Sequence, residues 1–225
     1  MRFAVQLNGQ KHVLEYVAPC FQSDFASIKN VGDDWFLESS AFDACSTAGE
    51  VFPIAEHILG VIHRVTELYA NLLSPFEIAS RVTAFSETGV PINQVLRATA
   101  KFQVYSAEGI QDLLTLWRGQ PLGSSIVGAA MTDKKLLEAL ALIGDGHELR
   151  WPQLYNVLEF LGGESVIVKR KWATRMQIRI CRQTANHYRH LGSPKKYALP
   201  ANPLSLDEAA TLVLGLLKRW ISEQL

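Results

Sequence analysis

Apolar positions follow two different rhythms along this chain. In the first hundred residues they come in short runs suited to strands, interrupted by one long helical stretch. Arg2–Leu7 and Lys11–Tyr16 flank Asn8-Gly9, a pair that tolerates positive φ at both turn positions, so the spacing predicts a β-hairpin. Asp34–Ser39 reads as a third strand. From Val51 to Leu73, Ile54, Ile58, Val61, Ile62, Val65, Leu68 and Leu72 recur at helical spacing, with Pro53 expected in the first turn, where its missing N–H costs nothing. Ser74-Pro75 stops that helix. Ile78–Ser86 and Leu96–Ser106 look like two further strands joined by a Gly89/Pro91 loop. The second alternates Ala98, Ala100, Phe102 and Val104 with Thr99, Lys101 and Gln103.

After Ser106 the pattern turns helical. Ser106 can cap a short helix through Trp117, which Gly119, Pro121 and Gly123 end. Thr132 can cap a helix over Asp133–Ile143 that stops at Gly144. Trp151–Leu161 carries Leu154, Val157, Leu158 and Leu161 on one side and stops at Gly162-Gly163. Thr174 and Gln177 form a capping box opening a helix to about Leu191, with Gly192 as its stop. Ser193–Leu204 holds three prolines and reads as an extended connection. A second capping box, Ser205 with Glu208, opens a terminal helix through Ile221. The expected class is α+β: an antiparallel sheet with a helix over residues 1–106, then an all-α bundle over 107–225. No internal repeat stands out.

Composition narrows the class. The chain has 225 residues, 48% hydrophobic and 20% charged, which is ordinary for one large or two small globular domains. Its longest apolar run falls far short of the ~18 residues of a membrane-spanning helix, and MRFAVQLNG is unlike a secretion signal. No membrane partner is expected. Three widely spaced cysteines, Cys20, Cys45 and Cys181, suit buried thiols in a reducing cytoplasm.

Basic and acidic residues balance at 22 each, but they are not mixed. Met1–Glu164 holds 11 basic and 19 acidic residues, whereas Ser165–Leu204 has no acid at all. That block carries Lys169, Arg170, Lys171, Arg175, Arg179, Arg182, Arg189, Lys195 and Lys196. It is either a solvated face paired with acids elsewhere in the chain or an electrostatic footprint for phosphates. On a helical wheel Arg175, Arg179, Arg182, Asn186 and Arg189 share a stripe about 80° wide. Ile180, Cys181, Thr184, Tyr188 and Leu191 are expected on the opposite, core-facing side. Stacked like charges repel, so the stripe calls for acids from another element or a bound polyanion, and arginine's planar fork suits phosphate. His190 falls near the stripe, and His187 lies about 140° from Arg182.

Arg182-Gln-Thr-Ala-Asn186-His187 spells R-x4-H inside this block. With Leu154-Tyr155, Gly162-Gly163, Trp172-Ala173-Thr174 and Arg189-His190 around it, the segment from about Trp151 to Leu225 resembles the HEPN superfamily of small helical domains. Many of these are metal-independent ribonucleases. The resemblance implies RNA as ligand, Arg182 and His187 as catalytic pair, a composite cleft in a homodimer, no cofactor, and a prokaryotic antiviral defence or toxin–antitoxin setting. A protein partner such as an antitoxin also follows from it. Active members often carry His-x-Tyr after the motif; here Tyr188 directly follows His187.

The chemistry can be stated without the family. Transesterification of RNA needs a base, an acid and positive charge at the phosphorane, roles open to His187 and Arg182. Lys169, Arg170, Lys171, Arg175, Arg179, Asn186, Arg189 and His190 are the candidate RNA contacts. The competing role for His187 is a hydrogen-bonded histidine near the negative end of a helix. Two other functions use the same stripe without chemistry: a regulatory nucleic-acid-binding module, and a scaffold docking an acidic protein. His57 and His63 share a helix with Glu56 and Glu67 but lack metal-ligand spacing, so no metal site is expected. Nucleotide-binding and serine-hydrolase loops are absent from the sequence. The five tryptophans read as core or interface anchors, with Trp172, after Lys169-Arg170-Lys171, the one candidate for stacking.

Overall fold

The computed structural model describes residues 2–70, 76–86, 91–96, 122–143, 149–190 and 197–225. The side chains of Ser80, 91–96 and Leu122 are outside that description. The fold is α+β, and the chain divides into two compact units, Met1–Lys134 and Lys135–Leu225. The boundary expected near residue 106, the helix expected from Ser106 to Trp117, and most of the Leu96–Ser106 strand lie outside the described residues.

The first unit is built on a five-stranded antiparallel sheet. Its strands are β1 (Arg2–Gly9), β2 (Ser27–Val31), β3 (Asp34–Glu38), β4 (Phe76–Phe85) and β5 (Pro91–Leu96), in the order β2-β3-β1-β4-β5. β1 pairs with β3 through Val5 opposite Leu37 and with β4 through Phe3 opposite Ala84. Pro91 opens β5 rather than sitting in a loop, and an edge strand is where a residue without an N–H fits.

The expected hairpin does not form. Lys11–Val17 is a helix, α1, not a return strand. As a strand, it would put Val13 and Val17 on the same face as Lys11 and Glu15; as a helix, Val13, Leu14 and Val17 bury together and Lys11 meets Glu15 at i, i+4 outside. β2 was not visible in the pattern because three of its five residues are exposed.

α2 (Ala48–Ala70) packs against β1 and β4. It starts earlier than expected, so Pro53 sits inside it and not in the first turn. A second helix, α3 (Leu122–Thr132), packs on α2. Gly123, read as a breaker, lies within α3 because a Cβ there would meet the Cys20 carbonyl oxygen at 2.8 Å and the Phe21 ring at 2.8 Å. Next to it Ser124 Oγ accepts from Gln22 N–H at 2.6 Å and donates to the Cys20 carbonyl at 3.3 Å. Thr132 ends α3 with its hydroxyl turned back to Ala129, so it does not cap the next helix, α4 (Lys134–Ala141).

The described part of the second unit is helical, with α5 (Trp151–Phe160), α6 (Gly163–Lys169), α7 (Arg175–Arg189) and α8 (Leu206–Ser222) after α4. Both expected capping boxes are present: Thr174 with Gln177 opens α7, and Ser205 with Glu208 opens α8. Gly162 and Gly163 end α5 at φ 90° and 68°, but the chain then re-enters a helix, α6, that the pattern did not announce. α5 packs against α7 and α8, through Leu154, Val157 and Leu158 on its own buried side. Gly144, Leu191, Gly192, Lys195 and Lys196 lie outside the described residues.

His63, on α2, is part-buried, and its Nε2–H donates to the Phe76 carbonyl at 2.7 Å. Burial pulls its pKa down from 6.5 to about 4. Between those values the unfolded chain binds a proton that the folded chain does not, so stability is full above pH 6.5 and falls as pH drops towards 4. The loss amounts to at most about 3 kcal/mol. Thermal melts between pH 7 and 4 should show this slope, and His63→Gln should flatten it.

Candidate nucleic-acid interface

α7 places the basic row. Its capping box satisfies the first turn, with Thr174 N–H donating to Gln177 Oε1 at 2.9 Å and Gln177 N–H donating to Thr174 Oγ1 at 3.3 Å. Ile178, Cys181, Thr184 and Ala185 are buried, and burial pushes the Cys181 thiol up to about 11. That buried face is not opposite the arginine stripe, as the wheel reading had it. It is centred only about 90–110° away, so Arg182 and Arg189 stand at its edge. Ile180 is half-buried, and Tyr188 is 40% exposed, so neither belongs to the core side as expected. Leu191 is outside the described residues.

α5 runs antiparallel to α7, and their side chains meet in register, with Glu164 at the start of α6 extending the row. Trp151 stacks on Tyr188, with centroids 5.0 Å apart and 12° between planes. Tyr155 lies beneath Arg189, whose Cζ is 4.0 Å from the ring centroid, and near Arg182 at 5.9 Å. Glu159 Oε1 accepts from Arg182 Nη2 at 2.9 Å, and Glu164 Oε1 lies 3.4 Å from Arg175 Nε. Tyr155 first, then the Glu159 charge, raise the Arg182 pKa further above its already high value. Arg182 Nε is buried and has no hydrogen-bond partner among the described residues.

The acids that answer the block therefore come from outside it. Arg170 pairs with Glu223 just past α8 and lies over the Trp172 ring at 4.9 Å. Trp172 Nε1–H donates to Glu223 Oε1 at 2.9 Å, and Arg219 donates to the Trp172 carbonyl at 2.8 Å. Trp172 is thus a clamp between the α6–α7 turn and the end of α8. Lys169, Lys171 and Arg179 are exposed, and their side chains have no ionic or hydrogen-bond partner among the described residues. Lys171 adopts φ 59°, the one non-glycine left-handed residue among those described. Asn186 and His190 are half-buried; His190 Nε2 accepts from Arg189 Nε–H at 3.1 Å, and its ring stacks on Tyr197 at 4.4 Å.

His187 is half-buried, not in the core. Its Nδ1 lies 2.8 Å from the Tyr197 carbonyl oxygen, which ties the connection before α8 to α7. It stands round the helix from Arg182, so one chain does not bring the two together. His57 is exposed and apart from His63's contact with Phe76; among the described residues no three His, Cys, Asp or Glu gather as metal ligands would. No helix of the described residues is long and apolar enough to cross a membrane. Trp151 and Tyr188 were missed by reading Tyr188 as core; the signal available was Trp151 at a helix start and Tyr188 at a helix end.

Comparison of the chain with protein-family models, curated proteins and solved structures finds no match.

A carbonyl can only accept, so the His187 contact fixes the proton on Nδ1 and leaves the Nε2 lone pair available. Nitrogen-15 chemical shifts of neutral His187 should report the Nδ1–H tautomer. An Nε2–H tautomer would show that the Tyr197 contact is not a hydrogen bond.

Proposed function

We propose that the Lys135–Leu225 unit binds RNA through the basic residues of α6 and α7. The observation that supports it is the exposed trio Lys169, Lys171 and Arg179, left without a carboxylate partner among the described residues, in a stretch of chain that contains none. Arg189, held by a ring and an imidazole and by no acid among the described residues, adds a fourth cation for phosphate. Arg170, Arg175 and Arg182 are answered by Glu223, Glu164 and Glu159, and such exposed pairs are worth at most ~1 kcal/mol. A polyanion therefore competes with them at small cost. The resemblance of R-x4-H and its surroundings to HEPN domains points the same way, and extends the proposal to a cytoplasmic role in prokaryotic defence or a toxin-like system. Binding of a labelled RNA at a series of salt concentrations tests this. Lys169→Ala, Lys171→Ala and Arg179→Ala should each weaken binding across sequences and lower the log K against log salt slope by about 1. Variants with the wild-type slope would remove the basic face from the interface.

The second reading is metal-independent RNA cleavage by Arg182 and His187, favoured by the free Nε2 lone pair that the Tyr197 contact leaves on His187. Base and acid would come from two copies of His187 across a twofold axis, because the geometry within one chain keeps Arg182 and His187 apart. His187→Ala should reduce cleavage in EDTA by about 10²–10⁴ while sparing binding. A monomer in solution, or activity abolished by EDTA and restored by a divalent ion, would refute it and leave RNA binding standing.

A further inference from the structure

We infer that Trp151 and Tyr188 form a platform on which an unpaired base stacks, so that the RNA held by this unit is single-stranded. This rests on the RNA-binding reading above and adds to it a site outside the basic row. The two rings join the first residue of α5 to the penultimate residue of α7, parallel to within 12° at 5.0 Å. The stack is not closed over, because Tyr188 remains 40% exposed. His187 meets the Tyr188 ring edge to face, 5.2 Å between centroids at 85°, which restricts how that ring can turn.

One turn along α5, Tyr155 supports the guanidinium of Arg189 at 4.0 Å. A ring pair and an exposed cation thus sit side by side at one end of the α5–α7 seam. That is the pairing a nucleotide presents in reverse, a flat base beside a phosphate. In a duplex the base faces are buried against one another and no side-chain ring reaches them; an unpaired base offers an open π face. One such stacked base changes affinity by roughly 5- to 150-fold.

Fluorescence anisotropy with labelled oligoadenylate and oligouridylate of about twelve nucleotides, beside an RNA duplex of the same length, tests the platform. The single strands should bind more tightly than the duplex. Tyr188→Ala should weaken single-strand binding at least fivefold, with duplex binding and the salt slope unchanged, while Tyr188→Phe keeps wild-type affinity. On the unmodified protein, oligoadenylate should quench tryptophan emission, and Trp151→Phe should remove that quenching; this measurement stands if Tyr188→Ala does not fold. Salt-dependent RNA binding that is indifferent to Tyr188→Ala, or quenching that survives Trp151→Phe, overturns the platform and leaves the basic interface intact. No binding of either RNA at low salt overturns both.

Discussion

The second unit depends on how little of α7's circumference separates its apolar face from its basic row. Burying Ile178, Cys181 and Ala185 against a neighbouring helix is worth on the order of 1–3 kcal/mol for each large side chain, more than any exposed ion pair returns. Apolar packing therefore sets how α5 lies on α7, and the arginines at the edge of that face must find partners where the packing leaves them. Tyr155 and Glu159 are those partners for Arg189 and Arg182. Arg179, turned away from the seam, has none among the described residues.

The first unit handles charge differently. Glu38 of β3 receives both Arg2 of β1, at 2.8 Å, and Lys29 of β2, at 2.7 Å. There one carboxylate serves two cations from adjacent strands; in the second unit several cations share too few carboxylates. The same overall neutrality thus covers a first unit with an excess of acids and a second with an excess of bases.

Local signals were the most legible part of the sequence. Capping boxes at Thr174 and Ser205 depend on residues three apart, and both helices begin where those residues say. Asn8-Gly9 points to a turn, but a strand over Lys11–Tyr16 would separate Val13 from Leu14 and set Val13 beside Lys11 and Glu15, whereas a helix buries Val13, Leu14 and Val17 together. Gly123 and Gly162 carry opposite meanings, one a helical residue pressed against Cys20 and Phe21, the other a left-handed stop followed at once by another helix. Nothing in a single sequence separates those cases, because each is decided by what lies beyond the helix. The site was legible as a row of charge but not as a surface. Centring the apolar face opposite the arginines, about 70° from where it lies, hides the engagement of Arg182, and Tyr188 falls within the buried arc yet stays exposed because it stands at the end of α7.

The carboxylates that answer the basic block belong to helices before and after it: Glu159 and Glu164 precede it, and Glu223 lies beyond α8. Its charge is consequently tempered only when the whole unit is folded. The bare peptide would be an indiscriminate polycation, attracted to any negatively charged polymer it met. Folding converts it into a surface that leaves, among the described residues, a few unanswered cations at fixed separations, so that a polyanion, as proposed above, would have to match a pattern and not merely a sign. Tertiary structure here subtracts attraction, and on the RNA-binding reading proposed above any selectivity would reside in what is left.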